Sequence, residues 1–172
     1  MTGNRNMREA GFTLIELIIT VFILSVLLAV AMPSFLDTVR SNQISAQAND
    51  FVGALSLARS EAVKRGRNIT ITATSSTSSN EFGGGWSIFV DSDNDGVVDS
   101  GEEIIRVHEA LQGSNTLNSV NNISTLAFTA TGFLSTTNTL TFRLCETRAG
   151  KIGREITIKA TGRVSSAQYT CP

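Results

Sequence analysis

Sixteen consecutive uncharged residues, Leu17 to Met32 (LIITVFILSVLLAVAM), lie near the N-terminus, and the wider stretch Phe12 to Leu36 holds a single charge, Glu16. A helix over Phe12 to Leu36 rises about 1.5 Å per residue and so reaches roughly 37 Å, enough to cross the ~30 Å hydrocarbon core of a bilayer. The chain is therefore expected to span a membrane once. Arg5 and Arg8 stand against Glu9 before the run, whereas the first charges after it are Asp37 and Arg40. That positive-inside bias keeps the N-terminus cytoplasmic and exports the remainder. An ordinary secretory signal has a shorter apolar region followed by a small-residue cleavage site. Here the small residue, Gly11, precedes the apolar run. An ionised Glu16 inside the segment costs about 2.5 to 3.5 kcal/mol at mid-membrane and less near the edge, so it needs a partner.

The length of 172 residues and the net charge of −1 suit one domain plus an appendage and exclude bulk attraction to nucleic acid. One His and two Cys exclude a multi-histidine metal site or a four-cysteine zinc site within the chain. Pro33 removes one helical hydrogen bond and either kinks or ends the helix near the membrane exit. Beyond it, Leu36, Val39, Ile44, Ala48, Phe51, Leu55, Ala58 and Ala62 recur close to helical periodicity, with Arg40, Asn42, Gln47, Asp50, Arg59 and Glu61 between them. This amphipathic helix is expected to end at Lys64 or Arg65, capped by Gly66, with the two basic residues at the negative end of its dipole. The basic cluster Arg59, Lys64, Arg65 and Arg67 reads as dipole-compensating, solvated charge. After Gly66 the pattern alternates, predicting strands at Asn68 to Thr74, Trp86 to Asp91, Glu103 to Val107, Thr125 to Thr129, Thr139 to Leu144 and Arg154 to Ala160. The Ser/Gly-rich stretch 74–85 and the Asn/Ser-rich stretch 112–124 read as exposed loops without a packed role. The fold class is α+β, a long helix on antiparallel sheet.

Three constellations bear on chemistry. The segment Asp91 to Glu102 fits the twelve-residue calcium-loop template, with Asp91, Asp93, Asp95, Asp99, Glu102 and the Val97 carbonyl as ligands and Gly96 at the sharp turn. GWSIFV before it and EEIIRV after it read as strands, so the loop is a hairpin whose acids hold calcium or are merely solvated. Cys145 and Cys171, in an exported domain, are expected to pair, which closes a loop of about 27 residues and contributes on the order of 3 kcal/mol. His108 reads as an exposed surface residue rather than a base. Finally, Arg143 to Pro172 carries Arg143, Arg148, Lys151, Arg154, Lys159 and Arg163 against Glu146 and Glu155, while Glu81 to Glu109 has eight acids against Arg106. Such asymmetry orients subunits head to tail, or lets the basic end touch DNA phosphates.

Gly11-Phe12-Thr13-Leu14-Ile15-Glu16, with basic residues ahead and an apolar helix behind, resembles the class III signal of type IV pilins and type II secretion pseudopilins. The resemblance implies a type IV pilin fold, with a leader at 1–11 cut between Gly11 and Phe12 by a prepilin peptidase that also methylates the Phe12 amine. It further implies a transmembrane and assembly helix at 12–36 and a periplasmic head at 37–172, divided into an amphipathic helix (37–66) and a β region (67–172). Glu16 would pair with the N-terminal ammonium of a neighbouring subunit, which supplies the partner its burial demands. The GW-containing strand and acidic turn are similar to those of the GspH, FimT and FimU minor pilins and pseudopilins. The resemblance thus implies a non-enzymatic structural subunit that initiates or caps a pilus or pseudopilus, sits in the inner membrane before assembly and at the tip afterwards, and contacts other major and minor pilins. The alternatives are a DNA-binding minor pilin serving natural transformation and a membrane-anchored calcium module. In the DNA-binding relatives a Gly-Arg-x-Arg motif does the work; the corresponding Gly162-Arg163-Val164-Ser165 has Ser in place of the second Arg.

Overall fold

The computed structural model describes residues 12–75, 77 and 80–172. Two compact units divide the chain, one ending at Arg40 and one running Ser41–Pro172. A single helix, α1 (Leu14–Arg65, 52 residues), contributes to both and continues past Pro33 instead of stopping there. In the first unit its apolar side chains are all exposed, from Leu14 through Val39. The hydroxyls within the apolar run are satisfied by the helix itself: Thr20 Oγ1 donates to the Leu17 carbonyl (2.8 Å) and Ser25 Oγ to that of Phe22 (2.7 Å). A helix that meets its own polar demands in this way can lie in hydrocarbon without further partners.

In the second unit α1 buries Ile44, Gln47, Ala48, Phe51, Ala54, Leu55, Ala58 and Ala62, the stripe expected from periodicity, and ends at Arg65 with Gly66 at φ 63° as its cap. The stripe covers two antiparallel four-stranded sheets. The first comprises β1 (Ile69–Ala73), β2 (Trp86–Val90), β3 (Ile104–His108) and β5 (Thr125–Phe128), in the order β3-β2-β1-β5. The second comprises β4 (Thr116–Ser119), β6 (Leu140–Cys145), β7 (Ile152–Ile158) and β8 (Val164–Thr170), in the order β4-β6-β7-β8. Phe51 sits at the centre, with the rings of Trp86 and Phe142 edge-on at 5.1 Å and that of Phe82 tilted at 5.5 Å. Edge-on aromatic packing of this kind adds about 0.5 to 1.5 kcal/mol per pair beyond the area buried.

Six strands match the sequence expectation to within two residues at each end, and two depart from it. β4 lies inside the stretch 112–124 that reads as an exposed loop, yet Leu117 and Ser119 are buried. The stretch 74–85 is likewise not a bare loop, because Phe82 is fully buried and Glu81 nearly so. The two stretches satisfy each other. The Ser119 amide donates to Glu81 Oε2 (2.8 Å), the Leu117 amide to Asn80 Oδ1 (2.9 Å) and the Phe82 amide to the Leu117 carbonyl (3.0 Å). β8 also escapes the alternation rule, since VSSAQYT is almost wholly exposed and its strand form comes from seven residues of register with β7.

Candidate functional site

The N-terminal signal begins at the edge of the described residues; Gly11 lies outside them, and Phe12 is the first within, highly exposed. Thr13 Oγ1 accepts the Glu16 amide at 3.3 Å, so Thr13 is the N-cap of α1 and Glu16 its third residue. Thr-x-x-Glu is the capping-box pattern, and a carboxylate in the first turn also faces the positive end of the helix dipole. Glu16 therefore stands at a helix start as well as inside the apolar segment. The Thr13-x-x-Glu16 spacing is the sequence signal of that capping role.

The acidic turn is held by its own backbone. Asp91, at the end of β2 and 5% exposed, accepts the Thr70 hydroxyl (2.7 Å) and the Gly96 amide (3.2 Å) on Oδ2, and the Asn94 amide (2.7 Å) on Oδ1. Asp93 accepts the Asp95 amide (3.3 Å) and Asp95 the Val97 amide (2.7 Å). One carboxylate oxygen from each of Asp91, Asp93 and Asp95 lies within 4.8 Å of the others. Asp99 and Glu102 do not join that group; Glu102 turns back onto the amides of Ser92 (2.8 Å) and Asp99 (3.2 Å). Of the five carboxylates in the template, the three from the first half converge and the two from the second half do not. Like charge on Asp95, then burial, then Asp93 and Glu102, push the Asp99 carboxyl above its usual range. Glu103, immediately beyond, is pulled below its usual range by the Arg65 guanidinium, bonded to it at 2.6 Å.

The basic residues of the C-terminal half do not form a common stripe. Arg143 pairs with Glu155 (3.0 Å) and lies over the Tyr169 ring at 4.4 Å; Arg148 pairs with Glu146 (2.9 Å); Arg154 donates to Ser45 Oγ (3.1 Å). Lys151 also has a partner. Lys159 and Arg163 flank the β7–β8 turn, where the Lys159 amide donates to the Arg163 carbonyl (3.0 Å). Acidic partners hold Arg143 and Arg148 and a hydroxyl holds Arg154, so Arg143, Arg148, Lys151, Arg154, Lys159 and Arg163 are not all free to follow a phosphate backbone. Cys145 and Cys171 form the expected disulfide, which fixes the end of the chain to the end of β6.

Two further residues depart from expectation. Arg59 is not merely solvated: its Nε donates to the Gly132 carbonyl (2.9 Å) and its Nη2 to that of Thr161 (3.2 Å). The approach is tight enough that a Cβ at Gly162, at φ 75°, would lie 2.2 Å from the Gly132 carbonyl oxygen, so only glycine fits there. His108 is half-buried rather than exposed, stacked parallel to the Trp86 ring at 4.0 Å.

The model of the type II transport protein GspH matches residues 47–162, which is most of the second unit. The chain belongs to the GspH family. The model of the prokaryotic N-terminal methylation motif matches residues 6–32, the residues just ahead of the apolar segment and most of that segment, and the two together make this GspH-family chain a membrane-anchored pilin-like protein. Its solved neighbours include the type IV minor pilin FimU of Pseudomonas aeruginosa strain PAO1 in two crystal forms. One superposes with a TM-score of 0.61 at 29% identity, covering 74% of this chain and 90% of FimU. The other gives 0.58, covering 72% and 91%. Two fimbrial proteins of Pseudomonas aeruginosa are each 38% identical over 66 residues, 38% of this chain and 42% of theirs. The GspH-family chain thus spans about two fifths of the length of these curated relatives. The FimU match bears out the α+β reading of one long helix on antiparallel sheets, and the family consists of structural pilins rather than enzymes.

Proposed function

We propose that the chain is a minor pilin or pseudopilin, a structural subunit that helps to initiate or cap a type IV pilus or a type II secretion pseudopilus. The observation that carries it is the union, on one chain, of the methylation motif over residues 6–32 with a GspH head over 47–162. In this role prepilin peptidase cuts between Gly11 and Phe12 and methylates the new amine. The apolar segment of α1 holds the subunit in the inner membrane with its head in the periplasm. On assembly it moves among the corresponding helices of other pilins, and Glu16 compensates a neighbour's N-terminal ammonium in surroundings that water no longer reaches. Intact-mass analysis of the native protein is expected to find methylated Phe12 as the first residue, and sheared filaments are expected to carry the chain. A mature protein starting elsewhere and absent from filaments would sink the proposal.

The convergence of Asp91, Asp93 and Asp95 supports a narrower second reading, a weak calcium site. With three carboxylates and no helix pair around it, binding is expected at about 10⁻⁴ to 10⁻³ M, the range of extracellular modules. Millimolar calcium should then raise the melting temperature of the full chain relative to EDTA, and magnesium should do so less. Identical melting curves in calcium and EDTA make the acids a hydrogen-bonded turn and nothing more.

A further inference from the structure

Each of the two sheets ends in two edge strands, and an unpaired edge offers its row of backbone N–H and C=O groups to any other chain. Three of the four edges are guarded. β4 is covered by Asn80, Glu81 and Phe82, which bond the backbone of Leu117 and Ser119. β5 is covered by the segment 133–135, where Leu134 bridges Phe128 and the Ser135 amide donates to the Ala127 carbonyl (2.9 Å). β3 carries Arg106, and a register shift interrupts its ladder with β2. β8 has none of these devices. Its sequence VSSAQYT holds no charge and no proline, keeps seven residues in unbroken register with β7, and is almost wholly exposed.

The ladder fixes which groups of β8 are free. The Cys171 amide donates to the Lys151 carbonyl (2.9 Å) and the Lys159 amide to the Arg163 carbonyl (3.0 Å), so residues 163, 165, 167, 169 and 171 face β7. Val164, Ser166, Gln168 and Thr170 therefore turn their N–H and C=O groups outward. Both ends of this edge are held: Cys171 is bonded to Cys145 of β6, and Arg59 of α1 holds the Thr161 carbonyl in the β7–β8 turn. A strand fixed in this way loses little freedom when a partner pairs with it. Beside the turn stand Lys159 and Arg163, both exposed and without an ion pair among the described residues.

A second copy does not fit this edge. With β8 antiparallel to β8, the two-fold lies normal to the sheet and reverses one α1 against the other, whereas every copy enters the membrane by the same end of α1. With β8 parallel to β8, Lys159 and Arg163 of the two copies lie side by side, and like charges so placed repel. Pairing β8 with the β3 edge of a second copy repeats without end, which a subunit that initiates or caps a fibre does not do. We infer that the outward edge of β8 receives an extended strand of a different pilin or pseudopilin, which joins the sheet β4-β6-β7-β8 as a fifth strand. The incoming strand bonds Val164, Ser166, Gln168 and Thr170 through its backbone and sets an acid beside Lys159 and Arg163. The inference rests on the subunit reading and deepens it, naming the surface by which this subunit meets its neighbour.

The test makes single replacements in the full-length chain in cells and measures how much of it is found in sheared filaments. Proline at an outward position removes one N–H that only the partner uses. Ser166→Pro and Gln168→Pro are therefore expected to keep the native disulfide and the head's melting temperature while lowering incorporation about tenfold. Ser166→Ala and Gln168→Ala, which alter side chains alone, should leave incorporation unchanged. Ala167→Pro removes a bond to β7 and should lower the melting temperature. Arg163→Glu should lower incorporation, and Arg163→Lys should not. Normal incorporation of the proline variants or of Arg163→Glu overturns the contact, as does an equal loss in the alanine variants. Outward proline variants that melt as low as Ala167→Pro also overturn it, because the outward N–H groups would then be in use within the fold. A benzoylphenylalanine at position 168 that links two copies of this chain does the same. Wild-type chain present in filaments beside normally incorporated proline variants removes the contact alone, whereas wild-type chain absent from filaments removes the subunit reading and the contact with it.

Discussion

Between Leu14 and Arg40, helix α1 leaves Ile18, Phe22 and Leu27 more than half exposed, whereas between Ser41 and Arg65 it encloses Phe51 and Leu55 completely. The two stretches share one backbone ladder, and the exposed one is the more apolar. Burying a Phe or Leu side chain is worth about 1.5 to 3 kcal/mol, so a stretch that leaves all of its own exposed is written for surroundings the chain does not itself provide. In the head, α1 alternates small residues with large ones, Ala48, Ala54, Ala58 and Ala62 letting the sheets approach and Phe51 and Leu55 filling between them. Toward the N-terminus the small residues Thr20, Ser25, Ala29 and Ala31 are as exposed as the large ones between them, which suits lipid and the mixed surfaces of neighbouring helices. The difference teaches that apolar content sets how much a helix gains by leaving water, and the size pattern sets whether its own chain can be the partner.

The sharpest way to break this contrast is a pair of truncations. Phe51→Ala should cost the head about 3 to 5 kcal/mol, because three rings close on that side chain, and Phe22→Ala should leave the head's urea midpoint unchanged. Equal losses would mean that the first stretch packs on the head after all. Next in size, replacing Cys145 and Cys171 by Ser should lower head stability by about 3 kcal/mol, with no change in the membrane retention of the chain. Glu16→Val removes a cost of up to about 2.5 to 3.5 kcal/mol for insertion, so it should hold the chain in the bilayer more firmly, keep the head's melting curve and yet reduce incorporation into filaments. Normal incorporation, scored in sheared filaments, would make the carboxylate dispensable.

The smallest effects concern pH and belong to the head alone. Arg65 lowers the carboxyls of Glu61 and Glu103, so these groups stabilise the fold above the ordinary carboxylate range and lose that contribution as the pH falls through their depressed values. Asp99 is raised, so it opposes folding at neutral pH and ceases to do so as it protonates. Glu103→Gln should therefore flatten the acid side of the melting-temperature profile. Asp99→Asn should raise the neutral plateau slightly and leave the most acidic points unchanged. Glu103 and Asp99, the two carboxylates altered, are exposed, so both changes should shrink in high salt.

The helix and six strands were legible because each carries its burial pattern within itself: Ile44 to Ala62 repeats at helical spacing, and Leu140, Phe142 and Leu144 alternate inward. What stayed hidden depends on partners far along the chain. Thr116–Ser119 has one large apolar residue among polar neighbours and becomes a strand through β6 and the Asn80–Glu81–Phe82 segment. Val164–Thr170 has almost no apolar pattern because it is an edge, with one strand neighbour and exposed faces. In the acidic turn, composition announced the carboxylates but not their aim, and only backbone geometry separates Asp91, Asp93 and Asp95 from Glu102, which faces two amides. The Arg59 contacts were illegible for the same reason, since nothing near it in sequence indicates Gly132 or Thr161.

Those contacts have a mechanical side. Gly132 follows β5 of one sheet, and Thr161 lies in the turn between β7 and β8 of the other. Tension pulling lengthwise on α1 therefore reaches both sheets through this guanidinium near the helix's C-terminal end, beside the Arg65–Glu103 pair, while some three turns earlier Gln47 holds the Gln112 carbonyl and Asn115, and Ser45 holds Arg154 of β7. Fastenings spaced along one rod in this way load the head in shear, so that several hydrogen bonds must break together rather than one after another. For a subunit held by its helix in an extending fibre, this arrangement resists peeling of the sheets from the rod.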